Sequence, residues 1–234
     1  MNIVGVDSCP RGWIAVSLDT ATTELVPRFF SRFVELLEAH ADTPVIAVDI
    51  PIGLNDGKPR ACDIDARKRL GWPGMASVFP APARSMIGVT DYREAKEESR
   101  ARFGHAVTRQ SFSIYRKVAE VDAAMSPELQ TRVHEVHPEL SFWAMNGRNA
   151  LQFGKKTQAG FEDRLELIAQ QFVGFNVPAD RAQAKAMAPL AGVDDLLDAI
   201  AAVWTARRIA DGSAERFPAD PESDDRGLRM QIAV

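Results

Sequence analysis

Residues 2–19 read NIVGVDSCPRGWIAVSLD, and this stretch decides the fold. Residues 2–7 form an apolar run that ends in an acid, the pattern of a buried strand. CPRG (9–12) supplies a turn, and residues 13–18 supply the return strand of a hairpin. Asp19–Thr23 reads as a second turn and Glu24–Phe30 as a third strand. Working outward, Ser31 is placed to cap a helix that carries Phe33, Leu36, Leu37 and His40 at helical spacing. Residues 45–50, VIAVDI, are apolar except for Asp49, as in a strand buried on both faces. Three strands, a helix and a central strand predict an α/β fold.

The remainder of the chain is read the same way. Residues 55–130 are rich in Arg, Lys, Glu, Gly and Pro and predict a mostly helical insertion or cap within a single domain spanning 1–234. Within it, GWPGMASVFPAPARS (71–85) reads as a loop, and 91–102 and 110–125 as helices. Residues 131–137 alternate like a strand that Pro138 breaks. Residues 161–172 and 191–210 predict helices, and GLRMQIAV (227–234) a short final strand.

Composition narrows the function. The 234 residues carry a net charge of −4, so the molecule as a whole does not advertise nucleic-acid binding, and such a site must be a local basic face or depend on bound metal. The two cysteines, Cys9 and Cys62, match no zinc spacing; they read as buried free thiols of a reducing compartment. The N-terminus lacks a basic leader and no apolar run reaches membrane-spanning length, so the expectation is a cytoplasmic protein with no membrane contact.

The chemistry lies in the acids. Asp7 follows V-G-V and Asp49 follows I-A-V, and a carboxylate at the end of an apolar strand is costly unless paired or bound to metal. Glu135 and Glu139 flank the break at Pro138. On the late helix, Asp195 and Asp198 are three apart and share a face, and Asp194 neighbours Asp198. Like charges at that spacing repel unless a cation lies between them. Capping of the helix N-terminus explains Asp194 or Asp195 equally well; it does not explain Asp198. Hard oxygen ligands of this kind suit Mg²⁺ or Mn²⁺, and a pair of ions would serve phosphodiester hydrolysis without a Ser-His-Asp triad.

The motifs GVDSCPRGWIAV, IAVDIPIGL, R-x-C-D-x-x-A-R (Arg60 to Arg67), SVFPAP, HEVHPELSF and GVDDLLDAIAAVWTARR resemble the signatures of domain-of-unknown-function family 429, described as predicted RNase H-like nucleases. The resemblance covers nearly the whole chain. It implies an RNase H-like mixed sheet flanked by helices. It also implies that Asp7 is the first-strand acid, Asp49 the central-strand acid, and Asp195 with Asp198 the pair on the last helix, as in Holliday-junction resolvases. Asp7, Asp49, Asp195 and Asp198 are then the metal ligands. Glu135 or Glu139 completes the catalytic set, the family's E-x-x-x-E segment leaving open which.

Other residues are weighed beside these. Arg11 could contact a phosphate or be a solvated turn residue. Arg60 and Arg67 could line the cleft mouth, with an Asp63–Arg67 surface pair as the plainer reading, and Arg84 could close over the site. The basic stretch 93–117 reads first as a solvated helical face, with Phe103, Phe112 and Tyr115 as core rather than stacking surfaces. His134 and His137 fall on opposite faces of a strand, so at most one is a ligand or base. Trp72, Trp143 and Trp204 read as packing residues. The expected function is metal-dependent hydrolysis of RNA or DNA. The alternatives are an ATP-binding or phosphoryl-transfer protein of the actin-like and sugar-kinase type, and a non-catalytic RNase H-like interaction protein.

Overall fold

The computed structural model describes residues 2–19 and 21–234. Strands β1 (Asn2–Cys9), β2 (Gly12–Asp19), β3 (Glu24–Phe30), β4 (Val45–Val48) and β5 (Val133–Glu135) form one sheet in the order β3-β2-β1-β4-β5. β2 runs antiparallel to β1 and β3, while β1, β4 and β5 are parallel. This mixed sheet flanked by helices is consistent with the RNase H-like fold expected from the sequence. Both hairpin strands are longer than their apolar runs, because pairing continues to the turn at Cys9 opposite Gly12.

Helix α1 (Phe33–Ala39) joins β3 to β4. Ser31 does not cap it. Arg32 is the N-cap residue, and carboxylates from Glu35 and Glu120 accept the free amides of Arg32 and Phe33. Between β4 and β5 lie α2 (Ala61–Leu70), α3 (Tyr92–Phe103), α4 (Arg109–Ser113) and α5 (Tyr115–Ala124). Asp91 caps α3 through the Glu94 amide. The single helix predicted over 110–125 is two, divided at Ile114. Phe112 packs between Tyr92 and Tyr115, so these rings form a small core of their own and are not open stacking surfaces.

After β5 come α6 (Pro138–Met145), α7 (Gln158–Gln171), α8 (Arg181–Met187) and α9 (Val193–Asp211), then the short pair β6 (Arg216–Phe217) and β7 (Ile232–Ala233). Pro138 ends the strand by starting α6, where a residue without an amide proton leaves no helical bond unmade. Only two residues of the predicted final strand pair as one. Among the described residues, no helix is long and apolar enough to cross a membrane.

The strands alternate between two cores. Ile3, Val45 and Ala47 join the cluster built with α6, α7 and α9; Val4, Val6, Ile46 and Val48 join the cluster built with α1 and α5. Helix α9 is buried from Leu196 to Ala206 and lies directly on β1. Gly5 makes this possible. A Cβ at that position would lie 2.2 Å from the Val203 nitrogen and 2.3 Å from the Ala199 oxygen, both backbone atoms that cannot turn away.

Gly5→Ala is therefore expected to destabilise the protein by about 3 kcal/mol, the upper end of overpacking costs, measured by urea denaturation. A loss below about 1 kcal/mol would mean that α9 can lift off β1 freely.

Candidate metal centre

The packing of α9 on Gly5 also places the acids. On β1 the side chains of Ile3 and Asp7 share the α9 face with Gly5, since residues two apart point the same way. On β4 the same face carries Val45 and Ala47, and Asp49 follows in phase. The Asp49 amide donates to the Val6 carbonyl at 2.9 Å, holding the residue against β1. Asp198 adjoins Ala199, whose carbonyl faces Gly5. Asp7, Asp49 and Asp198 thus lie close enough to repel one another electrostatically at the carboxyl ends of two adjacent parallel strands, where open α/β sheets place their ligands, although their oxygens are not all within 4.8 Å of one another. Asp7 and Asp198 are 6% and 3% exposed.

Burial pushes the Asp7 carboxyl well above the usual carboxylate range, and Asp49 and Asp198 add repulsion. Burial pushes Asp49 up to about 6, with His137 and Lys155 partly offsetting it. Asp198 is raised by burial and by Glu139, against the pull of Lys155 and Arg164. Lys155 comes from the loop between α6 and α7, and its Nζ lies 2.5 Å from Asp198 Oδ2. Burial disfavours its charge, but Asp198, Asp7 and Asp49 together hold the ammonium protonated. Three carboxylates against one ammonium leave an excess of two negative charges. In a buried setting that excess is removed by protonation or by a divalent cation.

The surroundings fit a cation. His137, which lowers the Asp49 carboxyl, has a buried Nδ1 with no hydrogen-bond partner. Asp7, Asp49 and Asp198 would hold a hard divalent ion, with His137 as an uncommitted donor at the edge.

The remaining expected ligands divide differently. Asp195 Oδ2 accepts the Gly192 amide at 2.8 Å and so caps α9. It adds to the repulsion on Asp7 only from the rim. Glu135 is in register with Val48, on the α1 and α5 side. Its carboxylate accepts Arg60 Nη1 at 2.8 Å, Arg60 Nη2 at 2.7 Å and the Ile52 amide at 2.7 Å. Glu139 is the one of the two that faces Asp198, although both of its oxygens accept Arg164 Nη2 at 2.9 Å.

Cys62, Asp63 and Glu135 offer ligand atoms within 4.8 Å of one another. A guanidinium already fills that space, because Arg60 also donates to both Asp63 oxygens. Burial raises the Cys62 thiol, which keeps it protonated and a poor ligand.

Of the four arginines expected at the substrate, Arg11 is exposed at the hairpin turn. Arg60 is 3% exposed and paired with Asp63 and Glu135, and it lines the same cavity as Asp49 and Asp198. The expected Asp63–Arg67 pair is replaced by Asp63–Arg60. Arg67 Nη1 instead donates to the Val78 carbonyl at 2.7 Å. Arg84 pairs with Asp122 and Asp224 and ties the C-terminal segment to α5. The cations that do face the acids are Lys155 and Arg164, which no periodicity or motif singled out. His134 is pushed down to about 4 by burial and by Arg216 and Arg229, so it stays neutral, away from the acids. A cavity of about 420 Å³ opens above the acids and is lined by Asp49, Asp198, Lys155, Arg164, His137 and Glu139 among others.

The family described as protein of unknown function (DUF429) matches residues 5–223. The chain belongs to the DUF429 family. No curated protein and no solved structure matches it. The DUF429 match runs from Gly5 past Asp198 and so includes the three acids and Lys155.

Two outcomes follow for this DUF429 centre. An Asp is near pH 4 when unfolded, and Asp49 is held up to about 6 in the fold. A raised carboxyl stabilises the fold fully below the unfolded value, and that contribution is lost as pH rises through the folded one. The metal-free protein should therefore lose stability between about pH 4 and pH 7. Mn²⁺, which binds the ionised form, should raise Tm more at pH 7.5 than at pH 5, and Asp49→Asn should remove that response. An equal Mn²⁺ shift at both pH values would contradict this assignment. Glu135→Gln should cost about 3 kcal/mol in a denaturation experiment by weakening a buried ion pair, yet leave the Mn²⁺ shift in place.

Proposed function

We propose that this protein is a divalent-metal-dependent phosphodiesterase acting on nucleic acid, using Mg²⁺ or Mn²⁺ at Asp7, Asp49 and Asp198. The observation that carries this reading is the clustering of three carboxyls, two of them almost fully buried, around Lys155, which pairs with Asp198. One divalent ion would match the excess of two negative charges. Divalent ions held this way supply an activated water and charge stabilisation for phosphodiester cleavage.

The chain's own residues divide the remaining tasks. Asp7 and Asp49 are fixed by sheet register. Asp198 is fixed by the seating of α9. Lys155 is 41% exposed at its side chain, so its ammonium can leave Asp198 and meet a phosphate oxygen. Arg164 is held by the Phe153 and Gly160 carbonyls as well as Glu139, and it gives the wall a fixed positive charge. His137 Nδ1 is an uncommitted base beside Asp49. The buried free thiols Cys9 and Cys62 suit a reducing compartment, and a cytoplasmic location is part of this proposal. The actin-like and sugar-kinase reading has less support, because it calls for a second core with its own glycine-rich hairpin. Among the described residues there is one five-stranded sheet.

The test is Mn²⁺-dependent cleavage of labelled single-stranded, duplex and RNA–DNA hybrid substrates. Asp7→Asn and Asp198→Asn should each lower the rate by about 100-fold or more, since even outer partners of metal ligands cost up to that much. Folding should be retained by circular dichroism. Unchanged cleavage in these variants, or none by the wild type, would defeat the proposal.

A further inference from the structure

The cavity beside the acids is lined by two kinds of side chain: Asp49, Asp198, Lys155 and Arg164 are charged, and Val78, Phe79, Leu151 and Phe153 are apolar. We infer that this site takes a single nucleotide unit with its base unpaired, the phosphate met by the charged side chains and the base by the aromatic ones. This rests on the phosphodiesterase reading above and names the substrate that the site selects.

Access comes first. Asp49 and Asp198 line a cavity of about 420 Å³, a volume suited to one ligand of nucleotide size. Asp198 is almost fully buried.

The apolar lining comes second. Phe153 is 49% exposed and lines the cavity, and Trp72, which precedes the lining residue Pro73, is 81% exposed. The expectation that Trp72 is a packing residue is thus overturned, whereas Trp143 and Trp204 are buried. Exposed rings beside a cationic site are sequence-tolerant platforms for nucleobases.

The rings are also tied to the charged side chains. Arg164 holds both the Phe153 carbonyl and the Glu139 carboxylate beside Asp198. The loop bearing Phe79 is anchored by Arg67 at the Val78 carbonyl and by Asp63 at the Ala81 amide, and Asp63 is in turn fixed by Arg60, which also pairs with Glu135. The buried arginine network therefore places a wall of the pocket.

The experiment measures affinities by calorimetry for the full chain with Mn²⁺, using a nucleoside 5′-monophosphate, ribose 5-phosphate and inorganic phosphate. The nucleotide is expected to bind about tenfold or more tightly than ribose 5-phosphate, the advantage that stacking of one base confers. Phe153→Ala and Trp72→Ala should each shrink that advantage while leaving ribose 5-phosphate and Mn²⁺ binding as in the wild type. Equal affinity of the two esters, or a nucleotide advantage untouched by both variants, overturns the assignment. Competition by a linear single strand, but not by the same strand closed into a circle, supports a strand end as the source. Nucleotide binding with no competition by either overturns a nucleic-acid source, and the phosphodiesterase reading with it. Equal competition by circle or blunt duplex overturns the single-unit pocket. A wild type that does not respond to Mn²⁺ alone overturns the phosphodiesterase reading itself.

Discussion

Everything at the acidic centre depends on how closely the backbone of α9 lies on β1 at Gly5. With no Cβ there, the helix backbone rests against the strand at a distance any other side chain would forbid. That seat fixes the height of Asp198 over Asp7, and the parallel pairing of β1 with β4 brings Asp49 alongside. Two strands and one helix, far apart in sequence, thus bring three carboxylates into one electrostatic neighbourhood. The cost of burying them is met by packing elsewhere in the same layer, where α9 contributes an unbroken buried run from Leu196 to Ala206.

The fold carries two buried acid clusters, and their difference is instructive. At Asp63 and Glu135, one guanidinium donates to both carboxylates and two backbone carbonyls close its remaining valences. Such a cluster is satisfied in hydrogen bonds, although burial and Asp63 still raise the Glu135 carboxyl, and its work is to hold the connection after β4 and the loop beyond α2. At Asp7, Asp49 and Asp198, one flexible ammonium faces three acids, and all three carboxyls are driven toward protonation. A site left electrostatically incomplete among otherwise satisfied neighbours is where a ligand of opposite charge belongs.

Much of this was legible in the sequence, for reasons that can be named. Asp7 and Asp49 stand out because an acid ends each of two apolar runs, and Asp198 because it lies too far into its helix to cap it. The strands, the long last helix and the helical character of residues 55–130 follow from periodicity. Glu135 misled because its face depends on the pairing of β5 with β4, which local alternation does not reveal. The pairing of Arg60 was hidden because its partner Glu135 lies 75 residues away. Lys155 and Arg164 were invisible because their roles come from the approach of a loop and a helix to the acids. Asp195 could be read as cap or ligand until the Gly192 amide settled on its carboxylate. Trp72 reads as a core residue by type, and only the course of the loop puts it in solvent.

The most direct test of the central claim is a crystal of the full chain grown with Mn²⁺ and measured at the manganese absorption edge. The account predicts an anomalous peak among the carboxylates of Asp7, Asp49 and Asp198, with Lys155 displaced from Asp198. A peak at Cys62, Asp63 and Glu135 instead, or no peak with the three aspartates still closed around Lys155, would contradict it.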